Sequence, residues 1–204
     1  MKRTTLALCT ALFISQGALA EESFKQVPAG IYTLDPTHAS ITWQVNHLGL
    51  SNYTARFTKF TAEVDYNPKN PEESVITASI DPTSIKTDYP YPQKKDFDKK
   101  LVENEDWFNA SAFPKIDFKS TKLEMTGEKT AIMTGDLTLL GQTKPVTLNV
   151  NFNGAYEAHP FTGKPALGFS AKGTLNRSDW GFTTYVPNIG DEVKLIIETE
   201  FEKK

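Results

Sequence analysis

Cysteine is nearly missing from this sequence, and the structures that depend on it are missing too. The 204 residues contain one cysteine, Cys9, which lies among the first twenty residues. A disulfide bond needs two cysteines, and zinc sites are often built from several. The chain beyond residue 20 therefore has no disulfide scaffold, no cysteine-ligated metal site and no cysteine nucleophile.

An excess of positive charge is missing as well. The whole chain has 22 basic and 25 acidic residues. Lys2 and Arg3 belong to the first twenty residues, so the remainder has 20 basic and 25 acidic residues and a formal charge of −5. Proteins that bind DNA or RNA neutralise phosphates with clustered Lys and Arg side chains. This composition argues against nucleic acid as a partner.

The sequence also lacks an apolar run long enough to span a bilayer, which takes about 20 residues. The stretch from Thr5 to Ile14 is mostly apolar but about half that length; Lys2 and Arg3 precede it, and Ala18-Leu19-Ala20 follows. This order is typical of a secretory signal peptide that is cleaved after Ala20. We therefore expect a signal peptide over residues 1–20, a protein that is exported from the cytoplasm, and one domain over residues 21–204.

Catalytic motifs are absent. The sequence has no G-x-S-x-G elbow, no H-E-x-x-H, no P-loop and no glycine-rich dinucleotide loop. Its three histidines, His38, His47 and His159, are not at the spacing of metal ligands. We predict that the protein is not an enzyme and has no catalytic residue, metal or cofactor. His38 is expected to stabilise the turn after Asp35-Pro36.

Apolar residues recur at every second position in most of the sequence, and this period of two places alternate side chains on opposite faces of a strand. In Ala39–His47 the apolar residues are Ile41, Trp43 and Val45, and polar residues alternate with them. One apolar face per strand is typical of antiparallel sheets. We predict eight substantial strands and a short one at Ile31–Asp35. The other clear alternations fall in residues 131–139, 145–156, 167–175 and 193–201.

The alternation slips at two places and is punctuated by turns. Tyr53 and Phe57 have odd numbers whereas Phe60 and Val64 have even ones, and a β-bulge near Thr58-Lys59 would return both sets to one face. A smaller slip separates Phe118 from Leu123. Residues that favour turns predict hairpin connections at four places: Asp35-Pro36-Thr37, Asn67–Pro71, Thr126–Lys129 and Leu140–Thr143.

The segment between Thr87 and Pro114 does not follow the strand pattern. Lys94–Val102 places Phe97 and Leu101 four residues apart among charged residues, which predicts a short amphipathic helix. Asn104 is then expected to cap a turn through Asp106–Phe108. The fold class is therefore all-β: one antiparallel barrel of about eight strands with a helical insertion, since closing the sheet removes its exposed edges.

A barrel of this size either fills with side chains or encloses one small ligand. Small inward residues such as Ala62, Ala171 and Gly173 leave room, which favours an apolar cavity and a lipid carrier. A solidly packed barrel that binds a protein is the alternative. An enzyme acting on a small apolar substrate is the third possibility, and the periodicity does not separate the three.

Several blocks of sequence resemble the YceI-like family of periplasmic lipid-binding proteins, and they occur in the family's order over nearly the whole chain beyond the leader. The most distinctive are Gly135–Leu139 and Gly141–Val146. The insertion departs from the family, since Asp88–Pro92 and Lys100-Leu101 stand where the family often has Asn-His and His-Leu. The other matching blocks are Asp35–Ile41, His47–Gly49, Phe57–Phe60, Asp106–Asn109, Phe113–Ser120, Asn176–Phe182 and Gly190–Val193.

The resemblance implies an extended lipocalin-like barrel that holds a polyisoprenoid, quinone-like or other long-chain lipid. It implies a periplasmic location, no catalysis and an expected homodimer. The charges of Lys94–Lys100 favour a solvated helix face, with transient membrane contact during lipid exchange as the alternative; the aromatic residues that would make this contact are Tyr89, Tyr91, Phe97, Trp107 and Phe108. His47 is either a structural residue or a contact for the ligand head group, and Arg177 and Trp180 either brace a turn or contact the ligand. The expected ligand-binding residues are Trp43, Val45, His47, Phe57, Phe108, Phe152, Phe169, Leu175 and Trp180.

Overall fold

Every strand pairing among the described residues is antiparallel, and six of the eleven pairings join strands that are consecutive in sequence. The computed structural model describes residues 26–204; the expected signal peptide and its cleavage site after Ala20 lie outside these residues. The one α-helix of the described residues, α1, is Phe97–Glu103. The strands are β1 Gly30–Leu34, β2 Ser40–His47, β3 Ser51–Phe57, β4 Phe60–Tyr66, β5 Val75–Ile80, β6 Ile85–Lys86, β7 Ile116–Met125, β8 Thr130–Leu139, β9 Gln142–Tyr156, β10 Ala166–Asn176 and β11 Ile189–Lys203.

Eight of these strands close into a barrel. They follow the order β1-β4-β5-β7-β8-β9-β10-β11, and β11 returns to β1 where Phe201 lies opposite Leu34. The remaining three strands extend members of this ring: β2 continues β1 along β11, β3 continues β4 along β2, and β6 continues β5 along β3. The predicted antiparallel barrel of about eight strands is confirmed.

The strands divide into eleven because three of them bend. The predicted hairpin at Asp35-Pro36-Thr37 is wrong: β1 and β2 both pair with β11, so the chain changes direction there without reversing. Asp35 Oδ1 accepts hydrogen bonds from Thr37 N at 2.8 Å and Thr37 Oγ1 at 2.7 Å, which closes a 3-10 turn over Pro36–His38. The same bonds recur at Asp81-Pro82-Thr83, between β5 and β6.

The third bend is the predicted break at Thr58-Lys59. Thr58 N and Lys59 N do not continue the strand ladder; they donate to Ser84 O at 3.2 Å and Ser84 Oγ at 3.0 Å. Tyr53 and Phe57 before the break and Phe60 after it all face the barrel interior. The smaller slip lies at Thr121, where the register between β7 and β8 shifts. Both irregularities keep long strands apolar on the inside, as the sequence predicted.

The other three predicted connections are hairpins, since each joins two paired neighbours. The tightest joins β8 to β9 through Leu140 and Gly141, whose φ angles are 49° and 71°. Two successive residues with positive φ are the requirement of a type I′ turn, whose twist matches that of the flanking strands. Glycine supplies one of them at little steric cost.

The insertion between β6 and β7 lies across one end of the barrel. Helix α1 begins three residues later than predicted because Asp96 is its N-cap, with Oδ1 accepting from Lys99 N at 2.9 Å. As predicted, Asn104 caps the following turn, with Oδ1 accepting from Asp106 N at 2.7 Å. The Phe108 ring then contacts Phe57 on β3 at 5.5 Å and Phe182, in the loop before β11, at 5.3 Å between ring centroids. We call this end of the barrel the helix end. The opposite end, which contains the turn between β7 and β8 with Glu128 and Lys129, is called the hairpin end.

Within residues 26–204, none of the helical segments has the length and apolar character needed to cross a bilayer.

Candidate functional site

A cavity of about 640 Å³ occupies the interior of the barrel. Its wall is formed by the inward faces of β2 to β5 and β7 to β11, and the side chains of these strands that line it are almost entirely apolar. The volume is typical of sites that bury most of a small organic ligand. A wall of this chemistry binds hydrocarbon by removing apolar surface from water.

The cavity reaches exposed residues at both ends. At the helix end it is lined by His47, Lys95, Lys100 and Tyr185, and no acidic residue joins them there. Glu128, Lys129 and Thr130, in the turn between β7 and β8 and at the start of β8, line it at the hairpin end. The polar side chains are therefore concentrated near the openings, and the helix end has a positive character.

The structure brings eight of the nine expected ligand-binding residues to this cavity. Val45, Phe57 and Phe152 are buried, and His47 is exposed at the opening. Their contact with a ligand stays a prediction. The eight lining residues are Trp43, Val45, His47, Phe57, Phe108, Phe152, Phe169 and Leu175.

Trp180 is the one that lies elsewhere. It is 2% exposed but is not among the residues that line the cavity. Its Nε1 donates to Gln142 O at 3.1 Å and Leu137 O at 3.4 Å, and its own carbonyl accepts from Gln142 Nε2 at 3.2 Å. Trp180 therefore fixes the end of β8 and the start of β9, which is the structural role that the sequence left open.

Arg177 braces the loop before β11 and also lines the cavity. Its guanidinium donates to four backbone carbonyls, of Phe182, Thr184, Ile189 and Gly190, at 2.8 to 3.0 Å. Asp179 is exposed, and Asp191 accepts instead from Ser178 N and Oγ. Burial lowers the pKa of Arg177 from its ordinary value, and the nearby Asp191 opposes that shift. Charged hydrogen bonds to backbone carbonyls, and not an ion pair with Asp179, therefore hold this loop.

Small inward residues create less room than the sequence suggested. A Cβ on Gly173 would lie 2.6 Å from Leu148 Cδ2, and one on Gly135 would lie 2.3 Å from Phe118 Cζ. Large side chains on the neighbouring strands therefore cover these glycines. The cavity arises from the circumference of the barrel, and the glycines allow its wall to pack closely.

One polar atom of the cavity wall has no protein partner. The Trp43 ring lines the cavity, but its Nε1 atom is buried within the wall and has no hydrogen-bond partner among residues 26–204. Neighbouring inward residues on its own and adjacent strands, Ile41, Val45, Ala55 and Leu195, are apolar. Buried indole N–H groups in proteins usually find an acceptor.

An apolar cluster rich in aromatic residues packs at the hairpin end. Tyr32 is completely buried, and its ring meets Tyr66 edge-on at 5.8 Å. Tyr32 Oη donates to Pro28 O at 2.7 Å, and burial raises the pKa of Tyr32 to about 12. Phe152, Phe169 and Phe201 pack in the same cluster.

Helix α1 is tied to β6 by one carboxylate. Asp98 Oδ1 accepts from Thr87 N at 2.9 Å and Thr87 Oγ1 at 2.5 Å, and Lys86 Nζ lies 3.4 Å from Oδ2. Burial alone would raise the pKa of Asp98, but these donors outweigh it and the pKa is lowered. The carboxylate therefore holds α1 over the helix end at neutral pH.

Of the polar residues at the helix end, the sequence singled out His47 but not Lys95, Lys100, Tyr89 or Tyr185. The sequence pattern predicts that Lys95 and Lys100 belong to a solvent-exposed face of a helix. Tyr89 and Tyr185 lie in irregular segments. Inward positions such as Met133 and Leu148 could have been found from the period-two pattern of their strands. The irregular segments have no period, so the sequence contained no signal for their orientation.

Among the described residues, one surface group brings together atoms able to ligate a metal: Asp35, His38 and Glu200. His38 Nδ1 lies 2.7 Å from Asp35 Oδ2, and His38 is well exposed. This hydrogen bond completes the Asp35 turn, which is the role predicted for His38. None of the three residues lines the cavity, so a metal ion bound by this group would lie outside the cavity.

Comparison with protein families gives one match over most of the chain. The model of the YceI-like domain matches residues 32–201. A UPF0312 protein of Pseudomonas putida is 36% identical over 185 residues, which cover 89% of this chain and 88% of the relative.

Solved structures share the barrel. A Campylobacter jejuni YCEI protein superposes with a TM-score of 0.67 at 28% identity, covering 78% of this chain and 90% of that one. A domain from Saccharophagus degradans described as polyisoprenoid-binding superposes with a TM-score of 0.60 at 12% identity, covering 87% of this chain and all of that one. At that identity the second likeness concerns the fold.

Proposed function

The chain belongs to the YceI-like domain family, and from that premise we propose that it carries or stores a polyisoprenoid or another long-chain lipid inside its barrel. The observation that carries the proposal is the apolar cavity of about 640 Å³. The polyisoprenoid-binding description of the Saccharophagus degradans domain, which has the same fold, supports it. The proposed function is binding without catalysis.

The length of the cavity limits the ligand. The lining residues of β11 run from Ile189 to Phe201, about 40 Å along the strand and about 30 Å along the axis of a barrel with ordinary strand tilt. An extended chain advances about 1.2 Å per main-chain bond, so about six isoprene units, each of about four such bonds, would fill it.

That length is enough for firm binding without an ionic contact. About 30 carbons at roughly 0.3 kcal/mol per atom give about 9 kcal/mol, a dissociation constant just below micromolar. The polar end of the ligand is assigned to the helix end, where His47, Lys95 and Lys100 line the opening without an acidic neighbour. The apolar tail would then extend towards the aromatic cluster of the hairpin end.

The alternative function, a protein-interaction module with a packed barrel, predicts an interior filled by side chains. A cavity of this size in the barrel favours the carrier over that module.

Export and assembly belong to the same proposal. Lys2, Arg3, the apolar run and Ala18-Leu19-Ala20 support export to the periplasm, and the N-terminal sequence of the exported protein tests cleavage after Ala20. The homodimer implied by the family resemblance stays a prediction, which sedimentation of the purified protein would test.

We propose that the helix end contacts the membrane when ligand is exchanged. Leu48, Leu50, Tyr185 and Val186, here called the apolar rim, are 54%, 84%, 59% and 37% exposed. The two segments of the rim are joined, because Leu48 N donates to Asn188 O at 2.9 Å. Tyr185 also lines the cavity, so the rim borders its opening. Exposed apolar groups beside an opening suit transfer of a lipid to a bilayer.

The central experiment is organic extraction of the purified protein followed by mass spectrometry. We expect a stoichiometric long-chain lipid in the wild type. Leu175→Asp, which places a carboxylate in the cavity, should lower the extracted lipid at least about tenfold, because burying an unpaired charge is costly. Thr174→Asp makes the same change on the outer face of β10 and should keep the lipid. Absence of lipid from the wild type, together with failure to bind added polyisoprenoid, would reject the carrier.

A further inference from the structure

The part of the insertion that covers the helix end, residues 89–110, is here called the covering segment. Among the described residues, all of its main-chain hydrogen bonds lie within the insertion between β6 and β7, and none joins it to a strand. Phe108 N donates to Leu101 O at 3.0 Å. Ala110 N donates to Val102 O at 2.8 Å, so α1 and the turn after it form one body. A unit without ladder bonds to its neighbours separates from them at a lower cost in free energy than a strand does.

A single polar side chain of the covering segment fastens it to the barrel within the described part of the chain. Asp98 Oδ1 accepts from Thr87 N at 2.9 Å and from Thr87 Oγ1 at 2.5 Å, and Lys86 Nζ on β6 lies 3.4 Å from Oδ2. The surface ion pair between Arg56 and Asp88 lies before the segment and would survive its displacement. Displacing the segment therefore breaks the bonds of Asp98.

A row of aromatic rings crosses the cavity below the covering segment. The Phe108 ring lies between Phe57 on β3 and Phe182 in the loop before β11, with centroids 5.5 and 5.3 Å apart. All three rings line the cavity. Rings at these separations are in contact, so a methyl-branched chain does not pass between them. A chain that crosses this row must displace Phe108, which belongs to the covering segment.

The inner face of the covering segment is apolar. Phe97, Leu101, Trp107 and Phe108 all line the cavity. In water, displacing the segment would expose these side chains, which disfavours the displaced state. Hydrocarbon at the helix end, from a bilayer or from an entering lipid, removes that penalty and shifts the population towards the displaced state.

We propose that the covering segment is a lid that moves away from the helix end as one body when lipid enters or leaves, and that Asp98 is the latch that holds it closed. Asp88 and residues 111–115, which join the lid to the barrel, belong to no helix or strand, as is usual for hinges. This inference rests on the proposed lipid-binding function, because a lid has a role only where a ligand is exchanged.

The first test measures how fast the protein takes up and releases retinol, an uncharged fluorescent isoprenoid alcohol. Asp98→Ala removes the latch bonds and should raise both rate constants about tenfold. The dissociation constant should stay that of the wild type, because the free and the bound protein lose the same bonds. The control Glu103→Ala removes an ion pair with Lys99 that lies within the lid, and should keep the wild-type rates.

Two results would show that Asp98 is not a latch. One is a pair of rate constants that Asp98→Ala leaves unchanged. The other is a release rate that rises alone, with a matching loss of affinity, since that pattern indicates that Asp98 stabilises the bound cavity.

The second test closes the lid covalently. The chain beyond residue 20 has no cysteine, so Thr87→Cys together with Asp98→Cys places a single pair of thiols at two side chains that are already in contact. Bridging the pair by oxidation or by a short bis-maleimide should slow uptake and release about tenfold or more, and reducing the disulfide should restore both rates. The control pair, Thr134→Cys with Thr147→Cys on the outer face of β8 and β9, should leave the rates unchanged when it is bridged.

The outcomes separate the lid from the carrier function. If the bridged Thr87 and Asp98 pair exchanges retinol as fast as its reduced form, or if the control bridge slows exchange equally, the lid is overturned and the carrier function stands. If the wild type binds neither retinol nor an added polyisoprenoid, the carrier proposal falls, and the lid falls with it.

Discussion

Buried side chains that donate several hydrogen bonds identify residues that hold the fold. The Arg177 guanidinium satisfies four carbonyls, and Trp180 Nε1 donates to two. Trp43 Nε1 has no protein acceptor among the described residues. Because buried polar groups without a partner are costly, the Arg177 and Trp180 side chains are expected to determine stability.

Replacing Arg177 tests how much its hydrogen bonds contribute to the stability of the fold. Arg177→Met retains a long apolar side chain but removes the donors to four carbonyls, so the free energy of unfolding should fall by about 3 kcal/mol or more. Urea unfolding followed by circular dichroism measures this change. The control is Arg56→Met, whose guanidinium pairs with Asp88 at the surface, and which should cost less than about 1 kcal/mol. Equal losses in the two variants would show that the Arg177 bonds contribute little.

At the scale of elements, the barrel is shaped by corners as much as by strands. Asp35-Pro36-Thr37 and Asp81-Pro82-Thr83 make the same pair of hydrogen bonds and divide two long strands. In the first corner, bonds from His38 and Thr37 lower the pKa of Asp35 to about 2. The bond to Asp35, with Glu200 nearby, raises the pKa of His38.

These shifts predict how the first corner responds to pH. Protonated His38 stabilises the fold below its ordinary pKa of about 6.5, and that stability is lost as pH rises through its raised folded pKa. The Asp35 carboxylate contributes stability above its ordinary pKa of about 3.8, and this is lost as pH falls from about 4 to about 2.

We therefore expect the urea midpoint of the wild type to decrease between about pH 6 and about pH 8 by more than that of His38→Gln. His159→Gln retains the His38 corner and should keep the wild-type slope. A His38→Gln profile that superimposes on the wild type would show that the corner does not respond to the imidazole charge.

At the scale of the whole molecule, the two ends of the barrel differ. The hairpin end contains the apolar cluster of Tyr32, Tyr66 and their aromatic neighbours, whereas the helix end combines positive side chains, the apolar rim and α1. A lipid carrier with this polarity should load and release through the helix end, which places the apolar rim against the bilayer.

Transfer between vesicles tests that orientation. The double variant Leu48→Ser, Leu50→Ser should slow transfer of a bound isoprenoid to vesicles about tenfold or more, because each leucine loses the apolar surface that would enter the bilayer. Its equilibrium affinity should stay that of the wild type. Phe161→Ser removes an apolar side chain that is 91% exposed in the loop at the hairpin end, and should leave the transfer rate unchanged. A stronger effect of Phe161→Ser would place the membrane contact at the other end.

The sequence by itself determined the strands, their inward faces, both irregularities of register and the insertion, because these follow from a period of two and from local turn chemistry. It placed Trp43, Val45 and Phe169 on the inner wall for the same reason. It misread the Asp35 corner as a hairpin, since an Asp-Pro turn has the same local bonds whether the chain reverses or only bends.

The tertiary structure alone decided what depends on strands far apart in sequence. Trp180 faces β8 and β9 and not the cavity, Gly135 and Gly173 are covered by neighbouring side chains, and Lys95, Lys100 and Tyr185 meet at one opening. Alternation fixes which side of its own strand a residue faces. The tilt and circumference of the closed barrel fix what that side chain meets, and these arise only when all the strands have paired.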